Sequence, residues 1–213
     1  MSVLEVEMTI LSPLHLGSGR ADVMVDAEVV HDRYGLPYFP AKRFKGILYE
    51  SALEVAEMAE LCGTKFITHS EVDALFRHDG NDDIQLVFSD LYLPEIEKMR
   101  DDWRYLQENY GDYIQPLDVL KQYSTLRYQT RLENGIAANH SLHNLRTLNA
   151  DIVFYGTIEI KNGTLRQEQI IALALENLST AGLKRNRGLG KIAARLTNRE
   201  QAKLIEEALQ GRG

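Results

Sequence analysis

Lys42, Arg43 and Lys45 stand between Pro40 and Gly46 in the segment YGLPYFPAKRFKGILYE, inside a chain whose net charge is −7. Phe44, Leu48, Ala52 and Val55 recur at helical spacing from Ala41 through Met58, so the three cations fall in the first turn of a helix, with Pro40 where a helix can begin. Cations at that end oppose the helix dipole, whereas an anion is favoured there by the dipole and the unpaired amides. A phosphate of RNA or of a nucleotide would reconcile the two; the plainer alternative is a solvated helix start with its long side chains turned outward.

Further cations gather in AGLKRNRGLGK, where Gly182, Gly188 and Gly190 bracket Lys184, Arg185, Arg187 and Lys191. Glycines of this density let a backbone approach a ligand closely. The order is neither G-x-x-x-x-G-K-[ST] nor G-x-G-x-x-G, so tracking of a single strand's backbone explains it better than a mononucleotide or dinucleotide site. Arg127, Gln129 and Arg131 alternate just before the turn signal Glu133-Asn134-Gly135, with Tyr128 among them, and His140, His143, Asn144 and Arg146 follow it. This reads as a projecting hairpin that touches phosphates or wedges between bases. His140 and His143 are three apart, but no carboxylate or cysteine accompanies them at a metal-binding spacing.

Asp22, Asp26, Glu28 and Asp32 punctuate VMVDAEVVHD and its approach. Asp26 lies between Val25 and Ala27, so its carboxylate should face a surface presented by an extended segment. Beside bound RNA it could orient or deprotonate a 2′-hydroxyl, or hold a divalent ion; otherwise it is an ordinary exposed acid.

The acidic balance excludes a general nucleic-acid coat, which needs a basic field over much of the surface, so any such contact must be local. A single cysteine, Cys62, excludes an internal disulfide framework and a cysteine-based zinc site, and is expected to be a small buried hydrophobe in a reducing cytoplasm. The N-terminus lacks the basic region of a signal peptide, and no segment approaches the ~20 apolar residues of a membrane span, so a cytoplasmic protein without a membrane partner is expected.

The elements that must position these residues follow from periodicity. Leu4, Val6, Met8 and Ile10 alternate with Glu5, Glu7 and Thr9, a half-buried strand. DDIQLVFSDLYLP reads as a strand after a polar turn at His78–Asp83, and Glu95–Tyr123 as partly helical, with Glu95, Lys98, Arg100 and Asp101 as an exposed face and breaks at Gly111 and Pro116. Ile152 to Ile160 alternate as a strand, QEQIIALALENLST as an amphipathic helix, KIAARL as a last strand, and Asn198–Gln210 as a charged helix. Strand, helix, strands, helix, strand is an α+β, ferredoxin-like (RRM-like) order, taken as one domain over residues 1–213 with insertions at about 59–82 and 95–150.

The ordered set LHLGSG, VDAEVVHD, GLPYFPAKRFKG, LF at Leu75–Phe76, LVFSDLYL and GLKRNRGLGK resembles the RAMP superfamily of CRISPR effector proteins, particularly backbone subunits of type III complexes. The resemblance implies that the proline turn and Lys45-Gly46 bind guide RNA, that the hairpin is a thumb displacing one base at intervals, and that the glycine-rich loop supports the same groove. It also implies partners: guide RNA, target RNA, other effector subunits and copies of this chain. Matching VDAEVVHD residue by residue puts the family's cleaving aspartate at Asp26, acting with a divalent metal ion, Mg²⁺, to leave a 2′,3′-cyclic phosphate. Where many members carry Gly-Ser-Ser, Ala41-Lys42-Arg43 stand here, a variant closer to type III-D proteins, some of which cap the guide's 5′ tag. A capping subunit with an idle Asp26 is therefore the alternative, and a guide-processing endoribonuclease using His15 or His31 is a further one.

Overall fold

A computed structural model describes residues 1–19, 25–77, 84–130, 132–133, 136–137, 143–184 and 187–211. Strand β1 (Ser2–Ile10) buries Leu4, Val6, Met8 and Ile10 and turns Glu5 and Glu7 to the other face, as its alternation requires. Helix α1 (Ala41–Leu61) and helix α2 (His69–Phe76) follow, then β2 (Gln85–Phe88), α3 (Ile96–Tyr110) and α4 (Pro116–Tyr123). The hairpin comprises β3 (Ser124–Gln129), β4 (Leu132–Glu133), β5 (Ile136–Ala137) and β6 (His143–Leu148). Strand β7 (Val153–Lys161), α5 (Leu165–Asn177), β8 (Ile192–Leu196) and α6 (Gln201–Leu209) complete the chain.

The main sheet runs β2-β7-β1-β8 with every neighbour antiparallel. With α1 and α5 as crossovers, this is the split βαββαβ arrangement of a ferredoxin-like fold. Leu4 faces Ile158 and Met8 faces Phe154 across β1 and β7, and these side chains meet Phe44, Leu48 and Ile170 in one core. Each such buried side chain contributes roughly 1.5–3 kcal/mol. Thr164 starts α5 with a reciprocal cap to Gln167, and Thr68 caps α2 in the same way with Glu71.

Two expectations are overturned. Cys62 is exposed, because α1 runs past Met58 to Leu61 and carries the thiol beyond the packed face to the helix's C-cap. Arg100 does not belong to an exposed face: its guanidinium bonds Asp32 at 3.2 Å and Glu97 at 3.0 Å and lies over the Tyr92 ring at 4.6 Å. The segment 25–32, expected as extended, joins no sheet; it makes isolated bridges, Gly17 to Val29, Ala27 to Leu145 and His31 to Pro37. The turns expected at 78–83 and 134–135 lie outside the described residues.

Candidate RNA interface

The entry to α1 is built by a tight turn. Asp32 accepts the amides of Tyr34 and Leu36, and Gly35 takes φ +85°, where a side chain would also strike the Pro116 carbonyl. The chain then reaches Pro40 in an extended conformation, and Phe39 and Phe44 pack edge to face beneath the first turn. Lys42 and Arg43 emerge exposed and Lys45 half-exposed. Among the described residues none of the three has an acidic partner. The helix itself already has its anion: Asp90 accepts the Ala41 amide at 2.7 Å. An anion placed here would therefore meet the side chains more than the helix end.

The glycine-rich loop is stapled to the segment after β1. Leu183 donates to the His15 carbonyl at 3.1 Å, and Gly190 to the Pro13 carbonyl at 2.9 Å. Gly182 and Gly190 are at φ +77° and +80°, and a Cβ on them would strike the His15 and Ala181 carbonyls. Their glycines thus serve the loop's own packing, which corrects the expectation that all three open the backbone to a ligand; Gly188, with nothing near its missing Cβ, fits that expectation. Lys184 donates to Gln129 Oε1 at 2.7 Å, joining this loop to the hairpin, and Arg187 and Lys191 are exposed. Arg127 is exposed on β3. Arg131 and Arg185 lie outside the described residues, as do Asp22 and His140.

Between the helix and the loops lies a cavity of about 400 Å³ that brings Arg43, Gly46 and Gly182 together with His15, Gly17 and Glu50. His15 is not a surface residue, as a lone loop histidine would suggest; it is 3% exposed.

The hairpin's root has a buried ion pair. Arg146 reaches Glu28 with Nε at 2.8 and 3.1 Å from the two carboxylate oxygens, and its amide donates to the Ala27 carbonyl. Arg146 therefore cannot serve the hairpin as a phosphate contact, contrary to its reading as one of the projecting polar residues; the register of β3 and β6 turns it inward onto Glu28. This pair fixes the segment carrying Asp26. Asp26 donates its amide to Asn144 Oδ1 at 2.8 Å and accepts the Asn144 amide on Oδ2 at 2.8 Å. His143 Nδ1 stands 3.7 Å from the same oxygen. Asp26 Oδ1 has no partner among the described residues, and its side chain is 59% exposed. It does not line the cavity. Among the described residues no three His, Cys, Asp or Glu side chains converge on a metal site.

Sequence spacing missed three features: the Asn144 and Asp26 exchange, the Glu28 and Arg146 pair, and the His15 cavity. The first two join residues 118 apart, beyond any local pattern. The third had one signal, a glycine directly after His15-Leu16.

Comparison with known proteins assigns this fold to a family. The RAMP superfamily model matches residues 7–193, and the chain belongs to that superfamily. Among solved structures, it is similar to a chain of the type III-B Cmr-β complex bound to cognate target RNA, with TM-score 0.66 and 12% identity over 96% of this chain and 99% of that one. A chain of the same complex in its apo state gives TM-score 0.64 and 11% identity, over 92% of this chain and 97% of that one. No curated protein matches the sequence. No helix among the described residues is long and apolar enough to cross a membrane.

Proposed function

We propose that the chain is a guide-RNA-binding backbone subunit of a type III CRISPR ribonucleoprotein and cuts complementary target RNA at Asp26. One observation carries the binding part: Lys42, Arg43 and Lys45 leave α1 without acidic partners beside a glycine-rich loop bearing Lys184, Arg187 and Lys191, while the described arginines elsewhere are largely paired. Unpaired cations keep their full attraction for phosphate and release counterions on binding. Lys42, Arg43, Lys45 and Gly46 hold the strand from the helix side. Lys184, Arg187, Gly188 and Lys191 hold it from the loop side, on a loop whose shape Gly182 and Gly190 set. The hairpin residues Arg127 and Gln129 add to these contacts, and the sequence offers Arg131 beside them. Its partners are guide RNA, target RNA and neighbouring effector subunits, copies of itself among them.

For the cutting step, Asn144 holds Oδ2 and leaves Oδ1 open to a 2′-hydroxyl. Oδ1 orients or deprotonates that group, the 2′-oxygen attacks the adjacent phosphorus, and the bond to the 5′-oxygen breaks as that oxygen takes a proton from water, leaving a 2′,3′-cyclic phosphate and a 5′-hydroxyl. A single open carboxylate suits Mg²⁺, which draws most of its ligands from water and phosphate. When bound, such an ion neutralises charge developing on the phosphate.

A second reading is a non-cutting subunit that holds or caps the guide. It takes the grip of Asn144 on Asp26 as structural, joining the segment 25–32 to the hairpin. The test is to purify the chain with its co-expressed neighbours, extract bound nucleic acid, and add complementary RNA with Mg²⁺, wild type against Asp26→Ala. Evenly spaced cuts that vanish in the variant, with guide RNA retained, are expected. Cuts that persist move the active site elsewhere and leave a structural RNA holder; a particle without RNA overturns both readings.

A further inference from the structure

The ring of His15 has only one possible tautomer when neutral. Its Nδ1 lies 2.7 Å from the Arg146 carbonyl oxygen, which can only accept, so Nδ1 carries the hydrogen and Nε2 presents a lone pair. Nε2 has no partner among the described residues, and His15 lines the cavity beside α1. What keeps that nitrogen open is Gly17, where a Cβ would stand 2.9 Å from Nε2. Gly17 is not at positive φ, so the backbone does not require glycine there; the space in front of the nitrogen does.

The opposite wall is one face of α1: Arg43, Gly46, Ile47 and Glu50, at the i, i+3, i+4, i+7 spacing. Glycine inside a helix is destabilising relative to alanine, yet a Cβ on Gly46 would meet nothing within 4 Å. The room is left for something that is not part of this chain. Leu16, Phe39 and Ile47 add apolar surface suited to a flat ring.

We propose that this cavity is a slot for one nucleobase of the bound strand, matched to guanine; the inference rests on the RNA-binding reading above. The polar set is one donor, Arg43, and two acceptors, His15 Nε2 and Glu50, none paired among the described residues. Guanine's pairing edge presents one acceptor, O6, and two donors, N1–H and N2–H, which is the complement of that set. Uracil and cytosine each present two acceptors and one donor, and so set acceptor against acceptor. A phosphate in the depth of the cavity would meet Glu50 and the Nε2 lone pair, both unfavourable to an anion. The chain thus reads one base of its guide as well as gripping the backbone.

The test uses the purified full chain with ¹⁵N-labelled histidine, titrated with GMP, UMP and inorganic phosphate while the His15 Nε2 resonance is followed. The slot predicts a saturable shift of Nε2 with GMP, affinity about tenfold higher for GMP than for UMP, and no shift with inorganic phosphate. Gly46→Leu fills the space without straining the helix and abolishes the GMP response at a melting temperature no lower than that of the wild type. Gly17→Ala weakens it by crowding Nε2. Equal affinities for the two nucleotides, GMP binding that leaves Nε2 unmoved, or a Gly46→Leu chain that binds as before would each overturn the proposal. Failure here is separable from failure of the reading it rests on. A co-purified particle that carries guide RNA while the chain ignores GMP removes the slot alone; a GMP response in a chain whose particle holds no RNA removes the guide reading alone.

Discussion

The first turn of α1 and the surface of α3 both carry basic residues at close spacing, and the structure treats them in opposite ways. On α3, Arg100 is tied to Asp32 and Glu97, and Arg104 to Asp101 at 3.0 Å, with Tyr34 also in reach. On α1, Lys42, Arg43 and Lys45 have no such partners among the described residues, and the helix end behind them is satisfied by Asp90. The difference teaches that a basic run marks a ligand site by what fails to neutralise it, and that density of charge along the sequence does not separate the two cases. The hairpin repeats the contrast in one element: Arg146 is spent inside on Glu28, while Arg127 stands outside.

If that contrast is right, removing cations of the two kinds should give separable losses. The largest is expected at Arg146. Arg146→Ala leaves Glu28 buried and unpaired and should lower stability by about 3–5 kcal/mol, read as a large fall in melting temperature. A small change would mean that the hairpin's root is not fixed by this pair. Next comes the double change Lys42→Ala, Lys45→Ala, which spares the cavity-lining Arg43. Stability should move by no more than about 0.5 kcal/mol, but the slope of log affinity for guide RNA against log salt should fall by about 1.4, two single-strand phosphate contacts at ~0.7 each. Equal slopes would erase the distinction between the two helices.

The smallest effect sharpens the comparison with a half-exposed pair, Arg166 and Glu71, 2.8 Å apart. Burial pushes the Glu71 carboxyl up, but bonds from Arg166 and Thr68 outweigh it, and its pKa ends below the ordinary value of 4.5. A lowered carboxyl stabilises the fold above its unfolded pKa, and that contribution disappears as pH falls through the folded value. Melting temperature should therefore drop below about pH 4.5, and Glu71→Gln should flatten that drop; identical acid profiles would show that the pair contributes nothing.

Much of the scaffold was legible in the sequence because it is periodic. The alternation of Leu4, Val6, Met8 and Ile10 and the helical recurrence of Phe44, Leu48 and Ala52 each report one buried face directly, and both faces meet in the core. The site was legible only as a set of residue types. Gly182 and Gly190 were read as ligand-facing but face the chain's own carbonyls, because a positive φ serves a tight loop as well as a bound phosphate. Arg100 was read as exposed since its partner, Asp32, is 68 residues away. Asp26 was placed on a surface correctly, from its apolar neighbours, but nothing local foretold that Asn144 would grip it. The reciprocal cap Thr68 to Glu71 was readable as T-x-x-E and shows that some short-range chemistry remained to be extracted.

Strand β1 has one further consequence, in time. Its two neighbours are β7 and β8, so its first pairing waits for residue 153 and its second for residue 192. At a synthesis rate of about 5–20 residues per second, the second wait lasts roughly 10 to 35 s after β1 is made. For that interval Leu4, Val6, Met8 and Ile10 have no sheet to enter, and the acids between them, Glu5 and Glu7, are the features that keep the nascent strand soluble until its partners emerge.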